Sequence, residues 1–171
     1  MSKTKWIGLC LLLTGLLLSG CGQSDDITRE EFTGEAKSAM YQAAENILMF
    51  LPGDFDYDSM ILFQDGDGNV VGLSARGNRG FLAGNSMNVD RMTTCSLYEV
   101  VSINGEDIAF PNMKCGASAN LDGPELTLKG MAHCDVCGMG ASIDGTFIRF
   151  AEIVFAYDEG TPKVKQVYKL L

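Results

Sequence analysis

From Phe32 onward, apolar residues recur at spacings of three and four: Phe32, Ala36, Ala39, Met40, Ala43, Ile47 and Leu51. Glu35, Lys37, Gln42 and Glu45 fall on the other side. That period is the signature of an amphipathic helix. Thr28-Arg29-Glu30-Glu31 reads as a capping box at its start, and Pro52-Gly53 stops it. The element so defined is about 23 residues, roughly 35 Å long. Its stripe is expected to lie on the protein's own sheet; the other use for such a face is to clasp a partner or a membrane.

After Gly53 the period shortens. Ser59 to Gln64 is apolar on both faces, as an interior strand would be, and Asp65-Gly66-Asp67-Gly68-Asn69 turns the chain into a second strand, Val70 to Arg76. Residues 77 to 91 are rich in Gly and Asn and read as a loop interrupted by Phe81-Leu82. Thr93 to Ile103 and Asp107 to Phe110 flank Asn104-Gly105, a strong hairpin signal. Strands are also expected at Glu125 to Met131, Thr146 to Tyr157 and Lys163 to Leu171. One helix followed by about seven strands, without βαβ alternation, predicts an α+β domain. In it a single N-terminal amphipathic helix packs on an antiparallel sheet.

The first 20 residues stand apart from this pattern. Lys3 and Lys5 precede a 13-residue apolar run from Trp6 to Leu18, too short for a membrane span of about 20 residues. The run closes in Leu18-Ser19-Gly20-Cys21. This resembles the lipobox of bacterial lipoproteins. The resemblance implies a removed signal peptide (1–20), diacylglycerol on the Cys21 thiol with a further fatty acid such as palmitate on its amine, and a short lipidated tether (21–27). Residues 28–171 are then one globular domain held close to a membrane. Gly22, rather than Asp, follows the anchor. The resemblance therefore implies the outer membrane, facing the periplasm, where the cell has one.

Charge narrows the partners. The 171 residues carry 13 Lys and Arg against 22 Asp and Glu, a net of -9. Loss of Lys3 and Lys5 leaves 11 basic residues. A chain this acidic repels phosphate backbones, so no nucleic-acid partner is expected. One histidine excludes any site that needs two imidazoles.

Beyond Cys10 and Cys21 four cysteines remain: Cys95, Cys115, Cys134 and Cys137. An even number in an exported domain suggests disulfides, with three possible pairings. A two-residue Asn104-Gly105 loop would set Cys95 opposite residue 114, and one bulge residue would bring Cys115 into line. Cys95–Cys115 is the expected bridge. Cys134 and Cys137 then form a CxxC, read first as a tight local disulfide or one bridging to Cys115, with a redox dithiol and a four-thiol zinc knot as alternatives. Met131, His133, Cys134, Cys137 and Met139 also place thioether, imidazole and thiolate donors within nine residues, a set suited to Cu(I). Cys-x-x-Cys-Gly-Met resembles the motif of the copper lipoproteins that assist nitrous oxide reductase assembly. That resemblance implies copper as a cofactor, although here the motif lies far from the lipid anchor.

Other constellations are weaker. Asp65, Asp67 and Asn69 imitate the start of a calcium loop, but Val70 and Arg76 occupy the positions of its glycine and bidentate glutamate. Ser86, Asp90 and His133 lack a nucleophile elbow. Asp54, Asp56 and Asp58 read as a solvated run. With no catalytic constellation, the expected function is a non-enzymatic binding or assembly factor near the membrane, with another envelope protein as partner and no cofactor. Copper handling and thiol–disulfide exchange at the CxxC are the alternatives.

Overall fold

The computed structural model describes residues 27–88, 93–138 and 141–171. Its elements in chain order are β1 (Arg29–Glu31), α1 (Gly34–Leu48), β2 (Ser59–Gln64), β3 (Val70–Arg76), β4 (Arg79–Asn88) and β5 (Thr93–Asn104). They continue as β6 (Asp107–Ala109), β7 (Ser118–Asp122), β8 (Glu125–Lys129), a 3₁₀ turn (Met131–His133), β9 (Gly145–Asp158) and β10 (Thr161–Leu170).

Strands β2 to β9 pair each with the next, all antiparallel, and β9 returns to pair with β2. The architecture is therefore mostly β, a closed eight-stranded barrel, and the expected α+β sheet with a helix on it is corrected. Closure rests on the length of β9. Its first residues pair with β8, with Leu126 opposite Phe147, while its second half pairs with β10 along the same edge. Its other edge carries β2 from Ile148 to Val154. One 14-residue strand thus joins both ends of the meander and closes it. β10 and then β1 continue outward as a flap beside the barrel.

Three local expectations are also corrected. Within the expected loop 77–91, residues 79–88 form β4, paired with β5 along its length and with β3 from Arg79 to Asn85. Its glycines belong there, because their missing side chains face a crowded interior. A Cβ on Gly84 would come within 2.9 Å of Ile143 Cδ1, and one on Gly80 within 2.9 Å of Ile103 Cδ1.

The helix is shorter than its stripe. Arg29–Glu31 is a strand on β10, and Gly34 at φ +57° sharply separates it from the helical turns. Thr28 uses its carbonyl to accept from Leu171 N–H instead of capping a helix. β1 is fastened by Arg29, which donates from Nε to the buried carboxylate of Glu152.

The hairpin after β5 turns one residue later than expected. Asn104 faces Asp107, with Gly105 at φ +64° in the turn, and β6 stops at Ala109. Cys115 consequently never comes opposite Cys95.

Two hydrophobic clusters result. The barrel interior is filled by Phe63, Val71, Leu82, Leu97, Leu126 and Phe147 with their neighbours. The second cluster lies outside the barrel wall, under α1 and the flap, around Phe55, Met60, Phe81, Ile153, Phe155 and Val167. Among the described residues both are built from residues 32 to 167, all of which a chain beginning at Gly22 retains.

Candidate functional site

Among the described residues the barrel interior is filled by side chains. An eight-stranded barrel is just wide enough either for its own side chains or for one small ligand. Here Leu82, Leu97, Leu126 and Phe147 are all at or near zero exposure. One mouth is plugged by the chain between β8 and β9, which inserts Met131, Cys134, Ala141 and Ile143. Asp144 braces that plug, accepting from Met131 N at 2.7 Å and from Ser142 Oγ at 2.9 Å. The opposite mouth holds a cavity of about 200 Å³, beside Ile61, Leu73, Leu121 and Arg149.

The cysteines staple the plug. Cys95 bonds Cys137, and Cys115 bonds Cys134. The disulfide framework is as expected in number, but the pairing Cys95–Cys115 is corrected. Only Ser102–Asn104 of the 12-residue β5 pair with β6, and residues 136–138 take the edge beside Thr94–Ser96. Ser96 N–H donates to the Val136 carbonyl and Gly138 N–H to the Thr94 carbonyl, both at 2.9 Å. That added strand sets Cys137 opposite Cys95.

The five donors grouped for copper separate accordingly. Cys134 and Cys137 are bonded to different partners outside the CxxC, so neither presents a thiolate. Met131 is fully buried in the barrel core, and His133 is exposed. Met139 and Cys21 lie outside the described residues, as does Asp90. Among the described residues, no group of three or more His, Cys, Asp or Glu is placed to hold a metal ion. A polar cavity of about 390 Å³ does lie beside the Cys115–Cys134 bridge, with Glu99, Lys114, His133 and Asp135 on its walls. No hydrogen bond or ion pair joins these four side chains to one another.

The remaining candidates are structural. Ser86 Oγ donates to the Ser142 carbonyl at 2.8 Å. Asp65 closes its turn by accepting from the backbone N–H of Asp67 and Asn69 and from Asn69 Nδ2. Arg76 holds Asp56 at 2.8 Å.

A further cavity joins residues far apart in sequence. Between α1 and the outer wall of β2–β5 runs a groove of about 550 Å³. Antiparallel register builds its floor in rows. Leu62, Gly72, Ala83 and Tyr98 lie side by side across four strands, and Gln64, Val70, Asn85 and Ser96 form the next row on the same face. The two small residues in the first row make the hollow. Gly72 is already covered by Met60, whose Sδ would lie 2.4 Å from a Cβ there. At β9 an extra residue, Phe150, has no opposite number on β2 and joins the wall.

The helix provides the roof. Met40, Ala43, Ile47 and Phe50 border the groove, while Ala44 is the fully buried contact to the flap and Tyr41 bonds Gln166 at 3.2 Å. Phe50 reaches across to stack on Tyr98, with centroids 5.0 Å apart. Burial raises the Tyr98 phenol above the usual tyrosine range, which keeps it a neutral hydrogen-bonding group at physiological pH. No protein-family model, curated protein or solved structure matches this chain.

None of the residues bordering the groove carries a charge, in a chain of net -9. Its polar groups are the carboxamides of Asn46, Gln64 and Asn85 and the Tyr98 hydroxyl. Asn85 Oδ1 accepts from Ser96 at 3.2 Å, while Gln64 and Asn46 have no side-chain hydrogen bond among the described residues. Such a surface can bind and orient. It supplies neither nucleophile nor acid–base pair.

One signal for the groove lies in the sequence: Gly72 stands in an expected strand, where bulky residues are usual. Ala43 of the helix stripe is exposed beside the groove, and Ala83 fell within the expected loop.

Proposed function

We propose that this chain is a lipid-anchored, non-enzymatic binding protein of a bacterial envelope, and that it holds an apolar ligand between α1 and the barrel wall. The observation that carries the reading is the groove itself. Its volume falls in the usual range for small-molecule sites, about 300–1,000 Å³. Its walls are apolar and uncharged, with a few carboxamides, as expected of a site that fixes an apolar molecule by shape. The lipobox-like start supports a membrane address, where apolar ligands are concentrated. Among the described residues no helix is long and apolar enough to cross a membrane. Tethering then falls to the lipid on Cys21.

The test uses the chain from Gly22 onward, exported behind an ordinary secretory leader so that disulfides form and no acyl chain competes. Titrated with the neutral fluorophore N-phenyl-1-naphthylamine, it should bind one equivalent. Ala43→Trp fills the groove from an exposed helix position, and should weaken binding at least tenfold with an unchanged circular-dichroism melt. Equal binding by both proteins, or none by the wild type, refutes the proposal.

A further inference from the structure

The groove is not uniformly greasy, and its gradient has a direction. Its first row, Leu62-Gly72-Ala83-Tyr98, abuts the buried row of Met60, Ser74 and Phe81, so that end is closed by core. The second row carries Gln64 and Asn85, both exposed, and beyond it Gly68 of the β2–β3 turn forms the lip. An apolar closed end and a carboxamide-lined open end fit an amphiphile lying lengthwise.

We infer, resting on the apolar-ligand reading above, that the groove selects a neutral-headed, single-chain amphiphile. Its head lies over Gln64 and Asn85, and its chain runs over Gly72 and Ala83 toward the closed end beside Met60 and Phe81. The charge pattern chooses the head. No Lys, Arg or His borders the groove, so an ionised carboxylate or phosphate would be desolvated without a counter-charge. The nearest turn adds Asp65 and Asp67, which repel an anion further. Asp65 already accepts three hydrogen bonds from its own turn, leaving it little capacity to take up a cationic head. The carboxamides, by contrast, donate to and accept from hydroxyl and ester oxygens without any ionic requirement.

The experiment displaces N-phenyl-1-naphthylamine from the Gly22-onward chain at about pH 7. Three probes with the same twelve-carbon chain are used below their micellar concentrations: monolauroylglycerol, dodecanoate and dodecyltrimethylammonium. Monolauroylglycerol should displace the fluorophore at a concentration at least tenfold lower than either ion. Gln64→Leu with Asn85→Leu should erase most of that preference, each amphiphile being read relative to the fluorophore's own affinity for the same variant. If the fluorophore binds but dodecanoate competes as well as monolauroylglycerol, the head assignment is overturned and the apolar site stands. If the cation competes best, the acidic turn and not the carboxamides reads the head, and the assignment is again overturned. If the fluorophore itself fails to bind, the underlying reading falls with it.

Discussion

Phe50, one turn from the end of the helical segment, lies on Tyr98 of β5 with ring centroids 5.0 Å apart and planes 19° from parallel. The stack props the helix against the far side of the groove, above the floor row that carries the small residues Gly72 and Ala83. Phe50 is half exposed, at 50%, and therefore contributes little to the core itself. Phe50→Ala should lower stability by only about 1 kcal/mol, the scale of one aromatic pair. It should nevertheless weaken binding of the neutral fluorophore several-fold. A loss of stability without any change in binding would separate the stack from the site.

The disulfides make a second prediction, in which the order of effects is unusual. Cys95–Cys137 closes a separation of 42 residues and Cys115–Cys134 one of 19. Chain entropy assigns them about 4 and about 3 kcal/mol. Removing both cysteines of the CxxC, Cys134→Ser with Cys137→Ser, breaks both bridges at once and should be worse than removing either bonded pair. A local Cys134–Cys137 bridge would give the reverse, because its small ring restrains little of the unfolded chain. Urea midpoints of the three double variants decide.

Ser74 gives a third. Its hydroxyl is buried and has no hydrogen-bond partner among the described residues. Ser74→Ala removes an unsatisfied group at little cost in volume, and should leave stability unchanged or raise it by about 1 kcal/mol. A loss above that size would mean that the hydroxyl is engaged by something that occupies the site.

High pH supplies a fourth. Burial raises the Tyr57 and Tyr98 phenols above their ordinary value, and neighbouring Asp56 and Asp54 push Tyr57 further against Arg79 and Arg76. A group whose folded pKa is raised stabilises fully below its unfolded value, about 10, and loses that contribution as pH rises through the folded value. The urea midpoint should therefore fall between about pH 9 and 12. Tyr57→Phe should flatten the fall; an identical slope in the variant would contradict it.

How far the sequence could be read follows from the range of the interactions involved. β2 and β3 have the bounds that alternation and a turn predicted, because a strand bordered by Asp65-Gly66-Asp67-Gly68-Asn69 is fixed by neighbouring residues. β4 was hidden because Gly80 and Gly84 look like loop residues until the barrel interior that requires them is known. Thr28 and Glu31 have good capping chemistry, but Gly34 at a positive φ and the pairing with β10 override it. Closure through β9, and the placing of Cys137 against Cys95, join positions far apart in sequence and leave no local mark. The groove was half legible: its helix side showed as an apolar stripe, while its floor exists only once Leu62, Gly72, Ala83 and Tyr98 are brought into register.

The most direct test of a binding groove outside a filled barrel is methyl NMR of the Gly22-onward chain during titration with monolauroylglycerol. The groove account predicts saturable shifts at Met40, Ile47, Leu62 and Ala83, with Val71, Leu97 and Ile143 inside the barrel unmoved. Shifts centred on Val71, Leu97 and Ile143 would place the ligand in the interior and contradict it, as would the absence of any saturable shift.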